Sequence, residues 1–257
     1  MSLIEQHLEG GILTITFNRP EKLNALSTDV LHALSELFTS AKENPEVKAV
    51  LLTGKGKAFC AGADISRLAE CDAERGYQFA CFGQDVFRQL ETMGKPSLAA
   101  INGYAFGGGC ELAMAATLRI AATTAQFGQP EVKLGVIPGY GGTQRLARLV
   151  GKGRALDLCI TGRFINADTA LQWGLVSEVV EPDELLLQGK TILKGILSMA
   201  PQAVAGVMAS IDRGYDMSLT DALHLEAVHF AKVCATQDKV EGVAAFLEKR
   251  PAQFKGV

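Results

Sequence analysis

The chain has 257 residues, 48 % hydrophobic and 21 % charged, with 25 Lys+Arg against 28 Asp+Glu and a net charge of −3. This composition excludes global disorder. A chain of this size buries roughly 72 % of its unfolded surface, enough for one large domain with or without a smaller appendage. The absence of a basic excess argues against nucleic acid or an anionic membrane as partner. Cysteines at 60, 71, 81, 110, 159 and 234 form no CxxC and no zinc spacing. They read as free, buried thiols in a reducing compartment, and the N-terminus shows no signal or transit peptide, so the expected location is cytoplasmic.

In chain order, Ile4, Gln6 and Leu8, then Gly10-Gly11, then Ile12 to Phe17 predict a hairpin. Ser27 is a good N-cap for a helix in which Val30, Leu34, Leu37 and Ala41 recur at helical spacing, ending by Pro45. Val47 to Leu52 reads as a buried strand. A helix follows between Cys71 and Met93, then a strand from Ser97 to Ile101. Gly107 to Gly109 lead into a short helix, Cys110 to Ala116, and a strand, Leu118 to Ala122. Strands alternating with helices point to an α/β core built from crossover units. After Gly151 helices dominate, at 152–160, 167–173, 183–199, 201–213, 218–235 and 236–249. Val176 to Val180 is the one further strand expected there. Residues 1–195 read as the core and 196–257 as a helical appendage.

The most apolar stretch, Leu98 to Ala116, contains Asn102, four glycines and Glu111, so it reads as buried core and not as a membrane span. There is no P-loop, no GxGxxG and no GxSxG elbow. His224 and His229 are five apart and diverge around a helix, so no metal site is expected.

What remains is glycine and glutamate. Gly62-Ala63-Asp64 follows an apolar run, and Gly107-Gly108-Gly109-Cys110-Glu111 opens a helix. Unpaired N–H groups at a helix start can hold an oxyanion. Triple glycine can equally serve tight packing alone, and the residues leave both readings open. Glu111, and Glu131 in Gln129-Pro130-Glu131, are carboxylates in apolar surroundings. Such groups have raised pKa values and are candidates for acid–base work. Spacing does not show whether the two converge.

The blocks Asn18 to Leu26, Ala58 to Ile65, Asn102 to Glu111 and Gln126 to Glu131 resemble the enoyl-CoA hydratase (crotonase) family. So do Gly139-Tyr140-Gly141-Gly142-Thr143-Gln144-Arg145-Leu146, Gly174-Leu175-Val176 and Glu248-Lys249-Arg250. They run in family order over nearly the whole chain.

The resemblance implies a spiral of repeated ββα units with a C-terminal helical trimerisation region, two trimers commonly stacking into a hexamer. It implies an acyl-CoA thioester substrate and no metal or other cofactor. The backbone N–H groups of Ala63 and Gly108 would form the oxyanion hole. Glu111 would activate water and Glu131 would protonate C2, giving reversible syn hydration of a trans-2-enoyl-CoA. Ala61, Asp64, Ile65 and Ser66 would line the acyl and pantetheine entrance, and Lys22, Leu23 and Ala25 would touch the nucleotide. Some relatives carry the basic residue one place earlier, where this chain has Glu21. Phe79, Phe82 and Phe87 would shape the acyl pocket, with Tyr140 narrowing its base. Δ3,Δ2-Enoyl-CoA isomerase and a non-catalytic CoA- or RNA-binding relative are the alternatives. Glutamate at both 111 and 131 is the hydratase pattern, since many isomerases keep one of the pair.

Overall fold

A computed structural model describes residues 2–64, 68–69 and 71–257. Two compact units emerge, Met1–Met93 with Ser97–Lys190, and Gly94–Pro96 with Thr191–Val257.

The first unit is built on two sheets. The larger has the order β1 (Ile4–Glu9), β2 (Ile12–Phe17), β3 (Ala49–Gly54), β5 (Ser97–Ile101), β7 (Leu118–Ala122), β10 (Glu178–Val180). The smaller has the order β4 (Ala58–Cys60), β6 (Tyr104–Phe106), β8 (Gln126–Gly128), β9 (Phe164–Asn166). Only β1–β2 and β8–β9 pair antiparallel; every other neighbour is parallel. Each successive unit adds one strand to each sheet: β3 and β4, β5 and β6, β7 and β8. This is the expected ββα spiral. β5 is buried at every position and β3 at all but its last, as parallel strands covered on both faces require.

The helices follow their sequence signals. In α1 (Thr28–Glu43) the Ser27 side chain accepts from the Val30 N–H. The helix ends before Pro45, because the residue preceding proline is driven out of helical geometry: Asn44 has ψ 114°. Asp72 caps α2 (Ala73–Glu91) in the same way. α3 (Gly108–Ala115) starts two residues earlier than the apolar run suggests, so Gly108 itself is its first residue.

Three expectations need correction. Four strands, β4, β6, β8 and β9, are three residues each; elements that short show no alternation, and β9 adds a strand beyond residue 151. A helix, α4 (Gly142–Val150), occupies a segment read only as a motif. All six cysteines are free, but only Cys60 and Cys110 are fully buried. α5 (Lys152–Thr161), α6 (Ala167–Trp173) and α7 (Leu185–Leu197) complete the elements that begin in the first unit.

The second unit holds α8 (Pro201–Gly214), α9 (Leu219–Cys234) and α10 (Gln237–Glu248). α8 and α9 run antiparallel: Ser210 Oγ lies 2.7 Å from His229 Nδ1, and a Cβ on Gly214 would meet Ala222 at 3.3 Å. Asp238 is buried, and its carboxylate accepts from the Lys255 and Gly256 N–H groups at 2.7 Å, pinning the C-terminal segment. Among the described residues no single helix is long and apolar enough to cross a membrane.

Candidate active site

Both glutamates face one cavity of about 600 Å³ in the first unit. Its wall includes Ala61, Gly62 and Ala63 after β4, Gly107, Gly108 and Glu111 at the start of α3, and Glu131 after β8. The Pro138–Tyr140 loop before α4 closes it.

The two backbone donors converge. The Leu26 N–H donates to the Gly62 carbonyl and the Leu26 carbonyl accepts from Asp64, each near 2.9 Å. In an extended ladder alternate N–H groups face opposite sides, so the intervening Ala63 N–H points away from Leu26. Gly108 is the first residue of α3, where an N–H has no intrahelical partner. A Cβ on Gly108 would lie 3.3 Å from the Ala63 nitrogen, so the two donors are neighbours. Gly107 makes the turn that permits this, at φ +48°, and a Cβ there would lie 2.5 Å from Glu131 Oε1. The other two glycines of the triplet have geometric duties. Gly107 gives the turn and the close approach to Glu131. Gly109 gives packing, since its Cβ would overlap the Cys60 carbonyl.

Glu111 is 1 % exposed. Its Oε1 accepts from the Tyr140 N–H (2.8 Å) and the Gly142 N–H (2.6 Å), at the positive end of α4. Burial pushes its pKa up to about 8, with repulsion from Glu131 adding and the two N–H bonds opposing. Burial pushes Glu131 up to about 7. Two neighbouring carboxyls shifted this way titrate as one system, with burial favouring the protonated form of each. Among the described residues both donors to Glu111 go to Oε1, which leaves Oε2 for a water or a proton.

The turn that presents those N–H groups is itself clamped. Arg145 forms two bonds with Glu91, at 2.6 and 3.0 Å, and donates from Nη1 to the Tyr140 carbonyl at 2.6 Å. Gln129 is completely buried, and its surroundings orient the amide so that its nitrogen donates to both Glu131 oxygens at 3.1 Å. Sequence reasoning did not single out Gln129, Glu91 or Arg145 for these roles. A polar residue between Gly128 and Pro130 carries no mark of burial in the sequence.

The remaining expected site residues divide. Ala61 and Tyr140 line the cavity. Lys22 and Leu23 are exposed on a turn whose Leu23 and Asn24 both adopt positive φ, and Ala25 is half-buried behind them. None of these three lines the cavity, although the Leu23 carbonyl accepts from the Ala61 N–H at 2.9 Å, which places the turn at its rim. Buried Asn24 fixes that turn by donating to the Lys55 and Ala58 carbonyls. Asp64 is half-buried, 4.0 Å from Arg19, and does not line the cavity. Ile65 and Ser66 lie outside the described residues. Of the three phenylalanines, only Phe79 reaches the cavity; Phe87 is buried behind Tyr140, and Phe82 packs on His32 at 4.7 Å. Among the described residues no cluster of three His, Cys, Asp or Glu could hold a metal ion.

Residues 7–257 match the family described as enoyl-CoA hydratase/isomerase. The chain belongs to that family. It is 47 % identical to the short-chain-enoyl-CoA hydratase of Clostridium acetobutylicum, covering 94 % of this chain and 93 % of the relative. It is also 47 % identical to the crotonyl-CoA hydratase of Syntrophomonas wolfei, covering 96 % and 95 %. Among solved structures, the enoyl-CoA hydratase of Bacillus anthracis superimposes with a TM-score of 0.95 at 38 % identity, with both chains fully covered. That of Mycobacterium smegmatis gives 0.95 at 32 % identity, with 99 % of each chain covered. The crotonase fold of this family is thus the fold of this chain.

Proposed function

We propose that the protein is an enoyl-CoA hydratase that adds water reversibly to a trans-2-enoyl-CoA. The observation that carries this reading is the convergence of two carboxyls, Glu111 and Glu131, and two free N–H groups, Ala63 and Gly108, on one apolar cavity. The names of the relatives support the same reading.

Hydration needs a base for water, an acid for C2, and a place for enolate charge. Hydration draws on the form with the negative charge on Glu111 and the proton on Glu131. Burial favours the proton on Glu111, so this is the minor form of the pair, and the two N–H donors at the start of α4 keep it within reach. Water attacks C3 and gives its proton to Glu111, and the C2–C3 π electrons move onto the thioester oxygen. The Ala63 and Gly108 N–H groups hold that oxyanion; one such donor is worth roughly 2.7–4 kcal/mol. Glu131 delivers its proton to C2 as the enolate collapses. Dehydration runs the same steps backwards with the roles exchanged. Attack and protonation come from the same cavity wall, which accounts for syn addition. Gln129 steadies Glu131, and the Arg145–Glu91 pair holds the turn that serves Glu111. The steps use only protons and dipoles of this chain, with no cofactor besides the coenzyme A carried by the substrate. Lys22, Leu23 and Ala25, at the rim, are assigned to the nucleotide end. Asp64, Ile65 and Ser66 are assigned to the entrance.

The second unit is assigned to assembly. α8 and α9 bury none of their residues, although Ile211, Leu219 and Phe230 are 64 %, 76 % and 71 % exposed. A free apolar surface of this kind marks an association site, and the reading is a trimer or a dimer of trimers. Six free thiols fit a reducing cytoplasm. The direct test is loss of the crotonyl-CoA enoyl absorbance on addition of the protein. No change in absorbance, with a folded protein, overturns the assignment.

A further inference from the structure

The catalytic cavity ends against an aromatic wall. Tyr140 is 2 % exposed, its ring 5.1 Å from Phe79 and edge-on to Phe87 at 5.5 Å. It fits there because position 83 of α2 is glycine: a Cβ at Gly83 would lie 2.2 Å from the ring. Among the described residues the buried Tyr140 hydroxyl has no hydrogen-bond partner, and the ring is held by packing against Phe79 and Phe87. The wall begins beside the reacting atoms, since the same ring stands 3.2 Å from where a Cβ on Gly108 would sit. Phe79 also lines a second, separate cavity of about 210 Å³, bounded by Thr28, Leu31, Cys71, Arg75, Gln78 and Phe82. Among the described residues, Phe79 is the one that lines both cavities.

We propose that Phe79, backed by Tyr140, sets the acyl-chain length: the partition stops the chain after few methylenes and makes the protein selective for short 2-enoyl-CoA substrates. This rests on the hydratase reading for the reaction but not for the binding. With the thioester oxygen at Ala63 and Gly108 and C2–C3 between the glutamates, a longer tail runs into the Phe79–Tyr140 wall. Truncating Phe79 joins the two cavities and gives that tail room. Gly83 is a requirement of the same device, because any side chain there displaces Tyr140.

The test pairs turnover with binding. kcat/KM is measured for crotonyl-CoA and trans-2-decenoyl-CoA, and Kd by calorimetry for butyryl-CoA and decanoyl-CoA, which cannot be hydrated. One methylene in an apolar pocket typically discriminates by about 10–200-fold. The wild type should favour the short member of each pair at least about tenfold. Phe79→Ala should raise the long-to-short ratio at least about tenfold, with Phe79→Leu between the two. Phe79→Leu carries the test if the alanine variant does not fold. Equal handling of both lengths by the wild type overturns the proposal and leaves the hydratase reading intact. A folded variant with an unchanged ratio also overturns it. A wild type that binds butyryl-CoA over decanoyl-CoA yet hydrates neither enoyl-CoA supports the length gate and overturns the hydratase reading.

Discussion

α3 and the α8–α9 pair are both rich in apolar residues, and they meet opposite fates. Every residue of α3 is buried, Glu111 included. α8 and α9 bury none. A helix saturated by its own chain can hold a carboxyl out of water and raise its pKa, which is useful only for chemistry. Helices left with bare apolar faces have surface to offer a partner. The first helix is therefore where substitutions should cost rate, and the second pair is where they should cost assembly.

The largest expected effects lie at the carboxyls. Glu111→Gln and Glu131→Gln should each lower the hydration kcat by about 10²–10⁴-fold, the range of general acid–base help. Neither variant should melt below the wild type, because glutamine keeps the size and removes the cost of a buried charge. A variant hydrating crotonyl-CoA at the wild-type rate would remove that residue from the mechanism.

Next comes Gly108, where bulk and chemistry can be separated. Gly108→Ala keeps the N–H, but its Cβ would meet the Tyr140 ring at 3.2 Å and the Ala63 nitrogen at 3.3 Å. Gly108→Pro adds the loss of the N–H, at a first-turn position that tolerates proline. Proline should be slower than alanine by roughly 10²–10³ in kcat. Equal rates from two folded variants would make Gly108 a packing residue only.

The second region is tested without substrate. Light scattering at micromolar concentration should show a trimer or hexamer, and Phe230→Asp should shift it towards monomer. A wild type that is already monomeric contradicts the reading of the bare helices.

The last effect is on the pH dependence of stability. A carboxyl whose pKa is raised in the fold binds protons that the unfolded chain has released. For Glu111 this holds from its ordinary 4.5 up to about 8. Its contribution is fully present below that window and is lost as pH rises through it. Urea unfolding should therefore show wild-type stability falling more steeply than that of Glu111→Gln across the window. The difference is at most about 1.4 kcal/mol per pH unit. Parallel curves would mean that Glu111 is not perturbed.

The first region was also the more legible in the sequence. The long elements announced themselves, α1 by its period behind the Ser27 cap and α2 as a helix between Cys71 and Met93 whose Asp72 cap was not singled out. β4, β6, β8 and β9 did not, because three residues give no alternation to read, yet β4, β6 and β8 bring Ala63, Gly107 and Glu131 to one cavity. Glu111 and Glu131 were visible as carboxyls in apolar company, and their convergence was not, since it depends on β7 and β8 lying in different sheets. The motifs supplied it through family resemblance. Gln129, Gly83 and the partition at Phe79 depend on packing between segments far apart in sequence, and nothing local marks them.

The central claim is that Glu111 and Glu131 act together on one water and one substrate. The measurement that bears on it most directly is kcat for crotonyl-CoA hydration by the Glu111→Gln/Glu131→Gln double variant beside both single variants. Residues that work as a unit are far from additive, so the double variant should be little slower than the worse single one. A loss equal to the product of the two single losses would mean that the carboxyls act independently, and would contradict the account.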